Sequence, residues 1–344
     1  MKYLGVFFLA MTLLTGCKHK EKEKLPEIGA SVAVFIPGVL AGSAIYEMLA
    51  DGTKKAAEEF NASKRLAVGV AVTVIEGGFN QAEWESQITT LAASRSYNLI
   101  VTSNPSMPVI VSSVSQKFPN QKFFLLDGEL AGNPNVYTLR YNQREQAYMA
   151  GYIAALVSLE NNQNGAGAKT IGLLAAQEYP AMNNIILPGY LEGARAVDPA
   201  FSVDFRVVGN WFDAVKAAEL AAGMIRSGAT VLLPIAGGAG NGAVQAAYEA
   251  GAKVIWFDTN GYAIRPGTII GSAILRQDKA AYEKMTLYLK GELPFGKAEV
   301  AGTADSFVDF VDDDPLYIAA VSQTIRDKQA QLIARLRSGE LKLD

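Results

Sequence analysis

The sequence predicts an α/β fold made of two doubly wound, Rossmann-like lobes. Its 344 residues, 50% of them hydrophobic, suffice for two cores of ordinary domain size. From residue 30 onwards, short apolar runs typical of buried parallel strands alternate with amphipathic helices. The alternation starts again after residue 142, which indicates a second sheet of the same kind.

The first lobe begins with the apolar strand SVAVFIP and the helix AIYEMLADGTKKAAEEF, which carries Ile45, Leu49 and Ala56 on one stripe. The strand LAVGVAVTVI and the helix QAEWESQITTLAAS follow. The strands YNLIVTS and KFFLLDG flank the helix MPVIVSSVSQKF, and NVYTLRY is the last strand of this lobe. Apolar strands joined by helices predict a parallel sheet with helices on both faces.

The second lobe begins with the long helix EQAYMAGYIAALVSL and the polar turn NNQNGAGA. Its predicted strands are TIGLLAA, FSVDFRVV, TVLLPI, KVIWFD and TIIGSAIL, separated by helices such as AVKAAELAAGMIRSG. No single long linker divides the two lobes, so several crossovers should form a stiff hinge. We expect an N-terminal lobe of residues 30–142 plus about 273–297, and a C-terminal lobe of residues 143–272 plus about 306–344.

Residues 1–17 predict a bacterial lipoprotein signal peptide. Lys2 supplies a positive charge, LGVFFLAMTLL is apolar but too short to span a membrane, and LTGC places small residues before a cysteine. Cleavage before Cys17, the only cysteine of the chain, would leave it to carry a lipid anchor. The charged residues 18–29 should form a flexible tether. Anchor, tether and two lobes are typical of the type I periplasmic-binding-protein architecture, which holds a ligand in a closing cleft and faces the periplasm or cell exterior.

The composition excludes several classes of function. The only histidine, His19, lies in the tether, and Cys17 would be lipidated. Catalysis by serine–histidine or cysteine–histidine pairs is therefore excluded, and so are common histidine-ligated metal sites. A net charge of −3 with 19% charged residues predicts no basic face, so nucleic acid is not expected as a partner. We expect a binding protein with no catalytic residue, metal or cofactor.

One motif favours an enzyme instead. The strand ATVLLPI precedes GAGNGA, which fits the pattern G-x-G-x-x-[GA], and Asp258 ends the next strand twenty residues after Gly238. That arrangement matches a dinucleotide-binding fingerprint, and an NAD-dependent enzyme is the remote alternative. The fingerprint normally opens a fold, whereas here it lies two-thirds along the chain without a proton-transfer group. We expect Gly237 and Gly238 to bring backbone close to a neutral, sugar-like group. A surface adhesin, which would have no defined pocket, is a third alternative.

Four segments occur in an informative order: YNLIVTSNPSMPVIVSSVSQKFPNQKFFLLDG, NVYTLRYNQREQAYMAGYIAAL, PGYLEGARAVDPAFSVDFRVVGNWFDAVKAAELA and GATVLLPIAGGAGNGAVQAAYEAGAKVIWFD. The C-terminal SGELKLD fits the same order. Together they resemble the basic membrane protein (Bmp) family of substrate-binding lipoproteins, which includes purine-nucleoside receptors. The resemblance spans residues 30–344 and implies a monomer that delivers a small molecule to the permease and ATPase subunits of an ABC importer.

The candidate ligand-binding residues lie where predicted strands end. Parallel sheets bind ligands at the carboxyl ends of their strands, which selects Asp127, Trp211 and Asp258. A flat heteroaromatic ring would stack on Trp211, with Tyr46 as the opposite wall. The two carboxylates would accept hydrogen bonds from ribose or polyol hydroxyls. The resemblance implies these roles for Trp211 and both aspartates.

Two further candidates concern the edge of the ring and a basic group. Asn104, at the end of a strand, would bond the ring edge, and Arg276 lies near the basic residue of the family. Members of the family usually carry an acidic pair and SFN at the first helix, where this chain reads PGVLAGSAIYEMLADG. The polar pair that would hold a purine edge is missing, which favours a larger ring. Riboflavin, with its ribityl chain, is therefore the favoured ligand; a purine nucleoside is the alternative, and sugars and other small molecules stay open.

Overall fold

The structure, a computed structural model, describes residues 29–64, 69–161 and 169–343. Within these ranges, twelve strands form two six-stranded sheets. Cys17, nearly all of the predicted tether and most of the turn NNQNGAGA lie outside the described residues. The predicted fold class of two Rossmann-like lobes is confirmed.

All strand pairs of the first sheet are parallel. From edge to edge its strands are β2 (Ala71–Glu76), β1 (Ser31–Ile36), β3 (Leu99–Ser103), β4 (Lys122–Leu126), β5 (Val136–Tyr141) and β11 (Ala298–Ala301). Its helices are α1 (Ala44–Lys64), α2 (Gln81–Ser94), α3 (Met107–Lys117) and α8 (Gln277–Lys290). The chain returns for α8, which packs on α1 so closely that a Cβ at Gly52 would lie 2.2 Å from the carbonyl oxygen of Asp278.

The second sheet repeats this strand order, with one antiparallel strand at its edge. From edge to edge its strands are β7 (Ser202–Val207), β6 (Thr170–Ala175), β8 (Ala229–Ile235), β9 (Lys253–Asp258), β10 (Ile269–Leu275) and the antiparallel β12 (Val308–Phe310). Its helices are α4 (Gln143–Asn161), α5 (Leu187–Val197), α6 (Ala214–Arg226), α7 (Gly240–Ala250), α9 (Pro315–Ala320) and α10 (Gln323–Arg337). A π-helical turn, Met182–Ile186, leads into α5, and a 3-10 turn, Gly237–Ala239, leads into α7.

The chain crosses between the lobes three times, after β5, after β10 and between β11 and β12. The crossovers lie side by side and are joined by backbone hydrogen bonds. The N–H of Asn142 donates to the carbonyl of Ala301 at 2.8 Å, and the N–H of Arg276 donates to the carbonyl of Phe307 at 2.8 Å. Any closing motion of the lobes must therefore bend these three bonded segments together.

Helices α4 and α5 pack through two glycines. A Cβ at Gly151 would lie 1.9 Å from the carbonyl oxygen of Tyr190, and a Cβ at Gly193 would lie 2.1 Å from that of Tyr148. The backbone of Tyr148 or Tyr190 could make room for an added Cβ only if the whole of α4 or α5 moved. The close approach of α4 to α5 thus requires glycine on both sides of the contact.

We expect Gly151→Ala to lower the free energy of unfolding by about 1–3 kcal/mol, because the added methyl group overlaps helix backbone. Urea denaturation measures the difference. Gly223→Ala in α6 is the matched control, since its Cβ would meet the ends of arginine side chains rather than backbone, the nearest atom being Arg206 Nη1 at 2.3 Å. Equal losses in the two variants would contradict the role given to the α4–α5 contact.

Candidate functional site

Asp127 and Asp258 occupy equivalent positions in the two lobes. Asp127 follows β4, the neighbour of β5, and Asp258 ends β9, the neighbour of β10. Both have left-handed backbones, with φ of 54° and 70°. Such a conformation costs a residue other than glycine about 1–3 kcal/mol and persists where the surroundings impose it. The strand ends thus hold one carboxylate on each side of the cleft in a defined, strained position.

The two carboxylates are close enough to influence each other. The pKa of Asp127 is raised to about 8, chiefly by burial and in part by the charge of Asp258, while the charge of Arg140 opposes the shift. Burial also raises the pKa of Asp258, to about 6, against a hydrogen bond from Gln146 that favours the carboxylate. Of the two, Asp127 therefore holds its proton more tightly, and Asp258 ionises more readily. The pair can accept and donate hydrogen bonds, as hydroxyl groups of a ligand require.

Tyr46 and Asn104 stand beside Asp127 in the first lobe. The Nδ2 of Asn104 donates to the hydroxyl of Tyr46 at 3.0 Å. Burial raises the pKa of Tyr46 to about 12, and the charge of Asp127 contributes. The three residues follow β1, β3 and β4, which are neighbours in the sheet. The structure thus brings Tyr46, Asn104 and Asp127 together. The side-chain amide of Asn104 already has a hydrogen-bond partner within the protein, the hydroxyl of Tyr46.

Trp211 lies on the loop after β7, and 39% of its surface is exposed. Its carbonyl oxygen accepts a hydrogen bond from the N–H of Ala239 at 3.1 Å. Its Cε3 atom lies 3.3 Å from where a Cβ of Gly237 would stand, and Gly237 has a φ of 54°. The ring is therefore held against the loop after β8, next to the strand that carries Asp258. Trp211 and Gly237 form one surface at this end of the second sheet.

The glycines of GGAGNGA, residues 237–243, divide into two kinds. A Cβ at Gly242 would lie 1.8 Å from the carbonyl oxygen of Ala214, so this glycine allows α7 to pack on α6. Gly240 is buried and faces Trp256. Gly237 and Gly238 are exposed at the end of the sheet and are the ones available to a ligand. Helix packing accounts for a good part of the apparent dinucleotide fingerprint.

Tyr179 was not selected from the sequence. It follows β6 in the stretch QEYPAM, and the charges of Asp258 and Asp127 both add to the effect of burial, which raises the pKa of its hydroxyl. Since β6 holds in the second sheet the place that β1 holds in the first, Tyr179 is the counterpart of Tyr46. The strand-end rule that selected the aspartates would have found it, because it lies only four residues beyond the strand.

Two buried glutamines also escaped the sequence analysis. Gln146 bonds to Asp258, with 3.1 Å between its Nε2 and the Oδ1 of the aspartate. Gln277 accepts a bond from Ser103 Oγ at 3.1 Å and donates to the carbonyl of Ile45 at 2.8 Å. The residues that these glutamines contact are distant in the sequence, so no local sequence pattern predicts the contacts.

Arg276 precedes α8 and turns toward an acidic neighbour. Its Nε lies 3.6 Å from the Oδ1 of Asp278, and its side chain is 43% exposed. It lines a groove between α1 and α8 together with Met48 and Asp51. This groove is distinct from the surface formed by Trp211 and Gly237, and contact of Arg276 with the ligand stays a prediction.

Two other features are absent from the part of the chain that the structure describes. No group of three or more histidine, cysteine, aspartate and glutamate side chains there could hold a metal ion. No helix in the same ranges combines the length and the apolar character needed to cross a membrane.

The sequence matches a known family along most of its length. The model of the Bmp family, the PnrA-like ABC transporter substrate-binding proteins, matches residues 30–342. Basic membrane protein A of Borreliella afzelii is 23% identical over 308 residues, which are 88% of this chain and 89% of that protein. The ABC transporter nucleoside-binding protein BmpA of Lactococcus lactis is 28% identical over 151 residues, which are 44% of this chain and 40% of that protein. The match therefore spans less than half the length of the Lactococcus relative.

Solved structures give the same fold. An ABC transporter solute-binding protein of Aeropyrum pernix superposes with a TM-score of 0.77 at 22% identity, over 92% of this chain and 93% of that one. A transcriptional activator of the comK gene from Bacillus halodurans superposes with a TM-score of 0.71 at 18% identity, over 92% of this chain and all (100%) of that one. At these identities the likeness shows the fold alone.

Proposed function

The chain belongs to the PnrA-like family of ABC transporter substrate-binding proteins, and we propose that it captures riboflavin for import. The family consists of binding proteins, so the chain is not an enzyme, and the NAD-dependent alternative is set aside. A riboflavin-binding site needs a flat apolar slot for the three-ring system and polar groups for the ribityl hydroxyls.

The carboxylate pair is the observation that carries the proposal. Asp127 and Asp258 lie at equivalent strand ends of the two sheets, and their charges raise the pKa of nearby tyrosine hydroxyls, Asp127 at Tyr46 and both aspartates at Tyr179. A ligand with several hydroxyl groups can donate to the carboxylate of Asp258 and can exchange hydrogen bonds with Asp127, whose pKa burial raises. The ribityl chain of riboflavin offers such hydroxyls.

Aromatic side chains on both lobes supply the flat surface. Tyr46 stands in the first lobe, while Tyr179 and Trp211 stand in the second. We propose that the isoalloxazine ring lies between Tyr46 and Trp211, with Asn104 at its edge. Aromatic stacking adds about 0.5–1.5 kcal/mol beyond the burial of apolar area. Gly237 and Gly238 would let backbone approach the polar end of the ligand, and Arg276 would act from the hinge side.

A purine nucleoside is the second candidate. One relative, the Lactococcus protein, is named as nucleoside-binding. A ribosyl group would use the same carboxylates, and a purine would use the same aromatic walls. The two ligands differ in the width of the ring. The PGVLAGS stretch after β1 lacks the acidic pair with which the family usually holds a purine edge, and this favours the wider ring of riboflavin.

The ligand is identified by purifying the chain without residues 1–17 and examining its colour and its denatured extract. A yellow protein that releases flavin, and that quenches riboflavin fluorescence after the ligand is removed, is the expected result. A colourless protein that binds inosine or guanosine and leaves riboflavin fluorescence unchanged would favour the nucleoside.

The proposal includes a lipid anchor at Cys17 and delivery of the ligand, by a monomer, to the permease and ATPase of an ABC importer. A lipid-anchored protein outside the cytoplasmic membrane would hold the captured ligand near its permease. Cells that express the chain should incorporate labelled palmitate into it, and Cys17→Ser should abolish the label and release the protein from membranes. Labelled Cys17→Ser protein would refute anchoring through this residue.

A further inference from the structure

We propose that Gln146 is part of the ligand site, where it holds Asp258 in place and offers its own Oε1 to a second hydroxyl of the ligand. The inference deepens the proposed function and rests on a hydroxyl-bearing ligand. Gln146 lies in the first turn of α4, directly after the first crossover, and is fully buried. Its Nε2 donates to Asp258 Oδ1 at 3.1 Å and to the carbonyl oxygen of Ala273 at 3.0 Å.

These two bonds define the orientation of the amide. Both N–H groups of Nε2 are directed at acceptors, so a flipped amide would turn its oxygen toward two other oxygens. The Oε1 atom is buried and has no hydrogen-bond partner within the described residues. Because Oε1 and Nε2 belong to one planar amide, Oε1 stands close to the Asp258 carboxylate. A buried acceptor without a donor is costly, and a ligand hydroxyl would remove that cost.

Gln146 also explains how Asp258 remains a useful acceptor. Burial favours the protonated acid, and the bond from Gln146 favours the carboxylate. The left-handed backbone of Asp258, with a φ of 70°, needs support from its surroundings, and Gln146 ties its side chain to β10 through Ala273. Two acceptors held side by side fit two neighbouring hydroxyl groups, as in a vicinal diol. Gln146 and Asp258 would therefore select the polyol part of the ligand rather than its ring.

The chain supplies a matched control. Gln329 in α10 is also fully buried, donates from Nε2 to the carbonyl oxygen of Met149 at 3.3 Å, and leaves its Oε1 without a partner within the described residues. Its bond joins α10 to α4 and involves no cleft carboxylate. A variant at Gln329 therefore reports the loss of stability that follows from replacing a buried glutamine.

The test compares Gln146→Met and Gln329→Met in the full-length chain, with riboflavin and lumichrome as probes. Lumichrome keeps the three-ring system and lacks the ribityl chain. We expect Gln146→Met to weaken riboflavin binding at least tenfold and lumichrome binding less than twofold, and Gln329→Met to change neither. Equal weakening of both probes, or no weakening of either, would overturn the proposal. If the wild type binds nucleosides instead, inosine and hypoxanthine form the equivalent pair of probes.

A second measurement needs no ligand. Carboxyl carbon shifts followed by NMR give the pKa of Asp258, which should rise above its wild-type value in Gln146→Met and stay unchanged in Gln329→Met. A wild type that binds neither riboflavin nor a nucleoside would refute the proposed function, and this titration would still decide the positioning role. An unchanged Asp258 pKa in Gln146→Met would overturn that role.

Discussion

Trp211→Ala is expected to weaken riboflavin binding at least tenfold. The substitution removes the stacking surface, which contributes about 0.5–1.5 kcal/mol beyond area burial, and the apolar area that the indole covers, at about 25 cal/mol per Å². A tenfold change in affinity corresponds to about 1.4 kcal/mol, which lies at the upper end of the stacking contribution alone. The loop should stay in place, because Ala239 bonds to the main-chain oxygen of Trp211. Quenching of riboflavin fluorescence measures the affinity.

Phe212→Ala is the matched control for this prediction. Phe212 is the next residue on the same loop, and 79% of its surface is exposed. Its replacement removes an aromatic ring from the loop without touching the wall formed with Gly237. Unchanged affinity in Trp211→Ala would show that the ring does not stack there. Equal losses in both variants would show that the loop as a whole, rather than the indole, supports binding.

Most of the fold follows from local patterns. The strands β1 to β10 were predicted because buried parallel strands are continuous apolar runs, separated here by amphipathic helices. The strands β11 and β12 were missed, since they have only 4 and 3 residues and lie at sheet edges. They flank the third crossover, so periodicity did not show where each sheet ends there: β11 (Ala298–Ala301) extends the first lobe beyond the predicted residue 297.

The sequence could nominate residues of the candidate site only near the ends of predicted strands. Asp127, Trp211 and Asp258 all follow or end clear strands, and the strand-end rule for parallel sheets selects them without the family resemblance. Gln146 is paired with a residue 112 positions away and sits in a helix, where a glutamine carries no signal.

The glycine motif is the opposite case. Its pattern was visible, but the contact of Gly242 with Ala214 comes from packing between two helices, which the pattern does not distinguish from phosphate binding.

The acid pair also predicts how stability depends on pH. Asp127 has a pKa of about 8 in the folded protein and about 3.8 as a free side chain, chiefly because of burial. Between these two pKa values the folded state keeps a proton that the unfolded state has lost. The free energy of unfolding is therefore highest at low pH and falls as the pH rises toward 8. Asp127→Asn cannot ionise and should escape this loss. The variant should therefore gain stability relative to the wild type by roughly 2–4 kcal/mol between pH 5 and pH 8.

Urea denaturation of the ligand-free protein at several pH values measures this difference. Asp51→Asn is the control, because it makes the same substitution at an exposed position on α1. Its stability should follow that of the wild type at each pH. If Asp127→Asn and the wild type kept a constant difference from pH 5 to pH 8, Asp127 would be ionised throughout this range. The two carboxylates would then not share the enclosed space that the strand ends give them, and the cleft of the free protein would be open to water.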